Sequence, residues 1–303
     1  MTVEWTAAAA EYIDQRRARG YKLRDQAVLL QRFGAALQAA GAERITVADV
    51  MAFAQHDPEV SLVTHARRFG VIRAFATWVG AVDSAAAEPI PPGLIRGAYQ
   101  RRNPYLYSPG EVRQLMTAAR ELPEPWLAEA MYVLIGLLSV TGLRSGEAFN
   151  LNVEDFDASG LVVRVQGKLD RPRLVPLHPS TAEELSRYCT GRSAGPLLVA
   201  RQGRRLPRTT AYGAFHRLLA ACGIVSKPGA RPARLHDFRH TFAVDTLTDA
   251  HRQRLDVDAR VAVLSTFLGH REPINTYWYL TASAELMTAV SDRMAAALGR
   301  RPR

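Results

Sequence analysis

Cysteine is scarce in this chain: two thiols, Cys189 and Cys222, among 303 residues. Two cannot build a disulfide framework or, alone, a zinc finger, so the expectation is a pair of reduced, partly buried thiols. Long apolar runs are absent as well. Nothing reaches the roughly 18 consecutive apolar residues that read as a membrane span. The opening MTVEWTAAAAEYIDQRR has neither the basic start nor the apolar stretch of a signal peptide, so the expected location is cytoplasmic. Apart from the basic end GRRPR, no low-complexity tract or internal repeat is present. Negative charge is in deficit, with 29 acidic residues against 39 Lys and Arg, a net of +10. Such an excess favours a polyanionic partner, because each cation placed on a phosphate releases a condensed counterion. Charge alone does not separate DNA from RNA or an anionic surface.

What is present is mainly helix. Residues 3–19 and 23–40 carry helical patterns separated by Gly20-Tyr21, Thr46 is placed to cap a third helix, and a fourth runs from Ser61–Thr64 to about Val79. In that fourth helix Phe69, Ile72, Phe75 and Ala76 fall on one face, with Arg67, Arg68 and Arg73 between them. Those arginines fit a solvated face and a phosphate-contacting face equally well. The stretch 84–106 is rich in proline and lacks periodicity, which predicts an extended connection carrying Arg101 and Arg102. Ser108-Pro109-Gly110-Glu111 then has the form of a capping box. A long apolar helix over Trp126–Val140 stops at Gly142. Residues 161–165 and 173–177 read as a β-hairpin around Gly167, Lys168 and Asp170, and helices resume near Thr181, Thr209, Asp237 and Asp258. The expected fold is mainly α with a small β-sheet: a helical domain over 1–85, a linker over 86–106 and a second domain over 107–303. The latter ends in an amphipathic helix, 283–298, whose stripe of Leu286, Val290, Met294 and Leu298 must be buried on its own domain or on a neighbouring protomer.

Four segments carry chemistry. Thr141-Gly142-Leu143-Arg144-Ser145-Gly146-Glu147 sets an arginine just past a glycine stop. His236-Asp237-Phe238-Arg239-His240 sets a histidine and an arginine three apart on one helix face. Leu268-Gly269-His270 reads as a tight turn with an exposed histidine, and Tyr279 follows nine residues later. Exchange of phosphodiesters without net hydrolysis needs a nucleophile that stays attached, which a tyrosine hydroxyl supplies. It needs fixed cations on the non-bridging oxygens, which two arginines supply with planar forks that stay protonated. It also needs proton transfer at both oxygens, within reach of histidine and lysine. Arg144, Lys168, His236, Arg239, His270 and Tyr279 make a full set. Taken singly each has a plainer reading, as a turn, surface or core residue. His236 and His240 also have metal-ligand spacing, but no glutamate lies between them and no third ligand follows.

In order and spacing these segments closely resemble the tyrosine recombinase (phage integrase) family. The family's T-G-L-R-x-x-E segment is matched by Thr141 to Glu147, its G-K-x-x-x-x-R-x-V-P-L hairpin by Gly167 to Leu177, its H-x-L-R-H-T-F-A box by His236 to Ala243, and its L-G-H box by Leu268 to His270. Phe238 stands where leucine is usual, and the turn has Asp170-Arg171-Pro172 where the family is more basic, so Arg171 or Arg173 competes with Lys168. The phrase Asn275 to Leu280 also resembles the transposon-encoded branch that includes recombinase-in-trio proteins.

The resemblance implies a core-binding domain and a catalytic domain that clamp duplex DNA, with four protomers on paired sites. It implies a 3′-phosphotyrosyl link from Tyr279 and no metal or nucleotide cofactor. Arg144, Arg239 and His270 would serve the phosphate, Lys168 would protonate the 5′ oxygen and His236 would assist at the phenol, with Glu147 and Asp237 orienting them. Two alternatives stay open: a type IB topoisomerase-like enzyme and an inactive DNA-binding accessory subunit.

Overall fold

The computed structural model describes residues 3–97, 103–166, 172–226, 231–270, 274–277, 279 and 284–297. The chain divides into two compact units, Met1–Arg101 and Arg102–Arg303. None of the described helices is long and apolar enough to cross a membrane.

The first unit is a bundle of α1 (Trp5–Ala18), α2 (Arg24–Ala39), α3 (Val47–Gln55) and α4 (Leu62–Val82). Its core gathers Trp5, Leu30, Phe33, Ile72 and Phe75, the residues of the helical-period pattern. The Trp5 indole donates to the Ala42 carbonyl at 2.7 Å, so the buried ring keeps its polar edge satisfied. Thr46 caps α3 through a reciprocal capping box with Asp49, and Ser61 caps α4. Residues 86–97 differ from the extended connection expected of them. Ala87 forms a parallel bridge with Ile45, and Ala86, Ile90 and Ile95 are buried in the first unit's core. The three prolines and Leu94 stay exposed, but Ala86, Ala87, Ile90 and Ile95 between and around them had a core to enter.

In the second unit α5 (Pro109–Arg120) opens on the Ser108–Glu111 capping box, and α6 (Pro125–Thr141) is buried on nearly every face. A short α7 (Ser145–Asn150) follows. The three-stranded antiparallel sheet has the order β1 (Phe156–Asp157), β2 (Val162–Gln166), β3 (Pro172–Pro176), with Val163 opposite Val175. Then come α8 (Pro179–Tyr188), α9 (Arg208–Ala221), α10 (Asp237–Arg252), α11 (Val257–Leu268), α12 (Ile274–Tyr277) and α13 (Ala284–Ala297).

Helix α10 is held from several sides. The Tyr107 ring stacks on Phe238 at 4.2 Å, the Tyr107 amide donates to Thr241 Oγ1, and the Tyr107 hydroxyl donates to the Arg234 carbonyl. Helix α13 packs against α10. Leu286 is fully buried and Val290 partly so in the cluster that holds Val244, Leu247 and Leu264, and Arg293 donates to the Leu255 carbonyl. The tail therefore seats its apolar stripe on its own unit up to Val290, while Met294 is exposed and Leu298 lies outside the described residues.

Candidate active site

Three chain turns build the site. The first is the end of α6, where Gly142 adopts φ 57°. A side chain there would be strained, and a Cβ would also meet Phe242 Cδ1 at 2.6 Å, so this glycine answers both the backbone sign and the close approach of α10. The turn delivers Arg144, whose amide and Nη1 donate to Glu147 at 2.9 and 2.7 Å and whose Nη2 donates to the Gly269 carbonyl at 3.1 Å. The second turn opens α10. Arg239 is 2% exposed, with Nη1 on the Gly142 carbonyl at 3.0 Å and Nη2 on the Leu268 carbonyl at 2.7 Å. The third is the end of α11, where Gly269 at φ 66° turns the chain into His270.

Arg239 thus ties the first and third turns to α10 through their last carbonyls, groups a helix end otherwise leaves unsatisfied. Burial, then the neighbouring charge of Arg144, pull the Arg239 guanidinium down to about 10, which still leaves it protonated at neutral pH. Two cations are held close together at the convergence of three turns.

Tyr279 lies beside them, 3% exposed. Its ring centroid is 5.5 Å from His240 and 6.1 Å from His270, and the His240 ring is in turn 5.1 Å from His236. Tyr277 is 45% exposed. His270 is half-buried rather than exposed, and shares a 2.7 Å hydrogen bond between its Nδ1 and the Oγ1 of buried Thr276. The ring is thus tied to α12, which a tight-turn motif by itself does not announce.

The site brings together Arg144, His236, Arg239, His270 and Tyr279. Lys168 lies outside the described residues, as do Arg171, Arg101 and Arg102. Glu147 is buried and bonded to Arg144. Asp237 is fully buried, but its carboxylate is engaged by Arg234, at 2.8 Å from Nη2 and 2.9 Å from the backbone amide. It fixes the entry to α10 and so acts on His236 through the backbone. In the first unit Arg67 is exposed and Arg73 half-buried, whereas Arg68 pairs with Asp57 at 3.6 Å and is the least free of the three for a phosphate.

Two more residues meet the site. His240, which its spacing offers only as a metal ligand, has its ring 5.1 Å from His236 and 5.5 Å from Tyr279. Arg173 was a rival of Lys168, yet it is 13% exposed and forms a bidentate pair with Glu147, at 3.0 and 2.9 Å. The signal for Arg173 was its period-2 position on β3, alternating with the outward-facing Leu174.

Burial first, then the charges of Arg239 and Arg234, push the His236 imidazole down to about 4. Neutral at physiological pH, it can accept a proton or hydrogen bond. In the free protein its NMR titration should have a midpoint at about 4. The unfolded chain binds that proton more readily, so acidification from about 6.5 down through this midpoint should cost stability. A midpoint at the ordinary value would show a ring open to water and not gripped by its two arginine neighbours.

The sequence pattern of the Phage integrase family matches residues 107–285. The chain belongs to that family, the tyrosine recombinases. This recombinase is 37% identical to the "Putative integrase/recombinase y4rB" of Sinorhizobium fredii, over 95% of this chain and 96% of that one. It is 29% identical to the tyrosine recombinase XerC of Mycobacterium leprae, over 76% of each. Among solved structures it shares its fold with the Tn1549 transposon integrase in complex with transposon right end DNA, at a TM-score of 0.67 and 18% identity. That match covers 97% of this chain and 100% of the solved chain, which holds residues 82–397 of that integrase. It shares the fold as well with the XerH site-specific recombinase bound to palindromic difH substrate, at a TM-score of 0.64 and 18% identity, over 88% and 78%.

Proposed function

We propose that this recombinase cuts and rejoins duplex DNA at specific sites through a 3′-phosphotyrosyl intermediate on Tyr279. The observation that carries this reading is the convergence of Arg144 and Arg239 beside a buried tyrosine flanked by two histidine rings. Two guanidiniums held close raise the cost of each other's charge, and a phosphodiester entering between them relieves that cost. Negative charge gathers on the non-bridging oxygens in the transition state, which is where such a clamp is most effective.

In the proposed cycle the Tyr279 oxygen attacks phosphorus, the bond to the 5′ oxygen breaks, and Lys168 protonates the departing 5′ oxygen to leave a 5′ hydroxyl. His236 assists transfer of the phenolic proton, and His270, oriented by Thr276, hydrogen-bonds the phosphate. The phosphotyrosine conserves the bond energy, so a 5′ hydroxyl from another strand reverses the step without a nucleotide. The partners are double-stranded DNA and further recombinase protomers, four on two paired duplexes. The DNA complexes named for the structural relatives support the first of these partners. The first unit contributes contacts to the DNA backbone, Arg67 being its best-placed candidate; the chain's net charge of +10 supports such contacts.

A nicked suicide duplex carrying the sequence that flanks the gene tests the proposal. A covalent protein–DNA adduct should accumulate on it in EDTA as fast as in magnesium, because cations and proton carriers are all side chains. Loss of the adduct in EDTA and its return with magnesium would overturn the mechanism. Supercoil relaxation without recombinant products would instead indicate a topoisomerase.

A further inference from the structure

Glu147 sits buried between two arginines, and the arrangement of its hydrogen bonds bears on how Arg144 meets a phosphate. A carboxylate has about four acceptor positions. Four donors reach this one: the Arg144 amide and Nη1, and Nη1 and Nη2 of Arg173. The remaining Nε–H of Arg173 donates to the Phe267 carbonyl at 2.9 Å, and a Cβ on Gly269 would meet Arg173 Nη1 at 3.0 Å. Arg173 is thereby fastened at the crossing of β3, α7 and the turn that carries His270. Nearly out of solvent and bonded there through all three of its side-chain nitrogens, it is not placed to reach a leaving oxygen.

We propose that Arg173 is a positioning residue that keeps Arg144 available to a phosphate by occupying the Glu147 carboxylate. The inference rests on the reading of Arg144 as a phosphate ligand. The charges give the reason. Arg144, Glu147 and Arg173 together carry one net positive charge. With Arg173 replaced by a neutral residue the group is neutral, and a buried carboxylate faces the incoming phosphate with Arg144 as its partner. In a poorly solvated site such a pair holds tightly and competes with the substrate. With Arg173 in place Glu147 is satisfied from the far side, and Arg144, whose fork has five N–H donors, spends two of them on Glu147 and Gly269. Although burial alone would raise it, the Glu147 carboxyl is brought down to about 2, with Arg173 the strongest of the opposing influences and Arg144 second.

The test is an epistasis experiment on the nicked suicide duplex described above. Adduct formation should fall on the order of 10²-fold in Arg173→Gln, since the phosphate clamp is compromised, and fall less in Arg173→Lys, which keeps the charge. Glu147→Gln should cost less than Arg173→Gln, and the double variant should run at the Glu147→Gln rate, because Arg173 then has no carboxylate to occupy. A double variant as slow as Arg173→Gln, or slower, would overturn the inference and make Arg173 a brace for the hairpin alone. A wild-type protein that forms no adduct would instead count against the phosphotyrosyl reading.

A readout free of DNA settles the Glu147 pairing in that case. A carboxyl depressed in the folded state contributes stability above its unfolded value, and this is lost as pH falls through the folded one. Wild type should therefore lose melting temperature as pH falls from about 4.5 toward about 2. The loss should be smaller in Arg173→Gln and should lack the Glu147 contribution in Glu147→Gln. An acid loss in Arg173→Gln equal to wild type would overturn the inference.

Discussion

Tyr279→Phe should eliminate covalent capture of DNA and leave DNA affinity and the melting temperature nearly unchanged. The substitution removes only the phenolic oxygen, the proposed nucleophile, and keeps the ring that packs between His240 and His270. Affinity comes from many phosphate contacts spread over the basic surface, so it does not depend on that oxygen. Adduct trapping on a nicked duplex, binding isotherms at fixed salt and thermal melting together check the three parts. If the variant still traps on DNA, the nucleophile lies elsewhere. Tyr277, more exposed and two residues upstream, is then the next candidate.

Arg144→Lys and Arg239→Lys should each slow cleavage by a factor on the order of 10² or more, because a point charge does not replace a bidentate clamp. The structure separates the two in a second measurement. Arg144 is half-buried, and its loss disturbs mainly Glu147 and the Gly269 carbonyl. Arg239 is almost fully buried and holds two helix-end carbonyls that belong to different turns. A lysine has one ammonium and cannot replace the planar span between them, so one buried carbonyl loses its partner, at a cost of roughly 1–3 kcal/mol. The melting temperature should thus fall in Arg239→Lys and change little in Arg144→Lys, while cleavage collapses in both. Near-normal cleavage by both variants would remove the arginines from the scissile phosphate.

Much of the site was legible along the chain because its residues sit at turns, and turns leave local marks. Gly142 and Gly269 take positive φ, and the sequence marks the first as a helix stop and the second as a tight turn, with Arg144 two residues and His270 one residue beyond. The helices were legible from period and caps: Thr46, Ser61 and Ser108 all cap as their side chains predict. The hairpin showed its alternation, though the short β1 beside it was missed, being two residues long.

Sequence by itself therefore determined the longer helices and several of their capped ends, the family and the choice of candidate catalytic groups, since these depend on spacing within a few residues, while the short α7 and α12 left no such mark. Tertiary structure decided which groups share a carboxylate and which rings meet. Glu147 and Arg173 are 26 residues apart, and Arg144 and Gly269 are 125 apart. It also decided that Ala86, Ala87, Ile90 and Ile95 join the first core, that Asp237 belongs to Arg234, and that α13 lays Leu286 against its own unit. Local pattern records how a segment will coil and which face is apolar. It does not record which distant partner will cover that face or neutralise a buried charge, because that is selected by packing and by desolvation after the elements have come together.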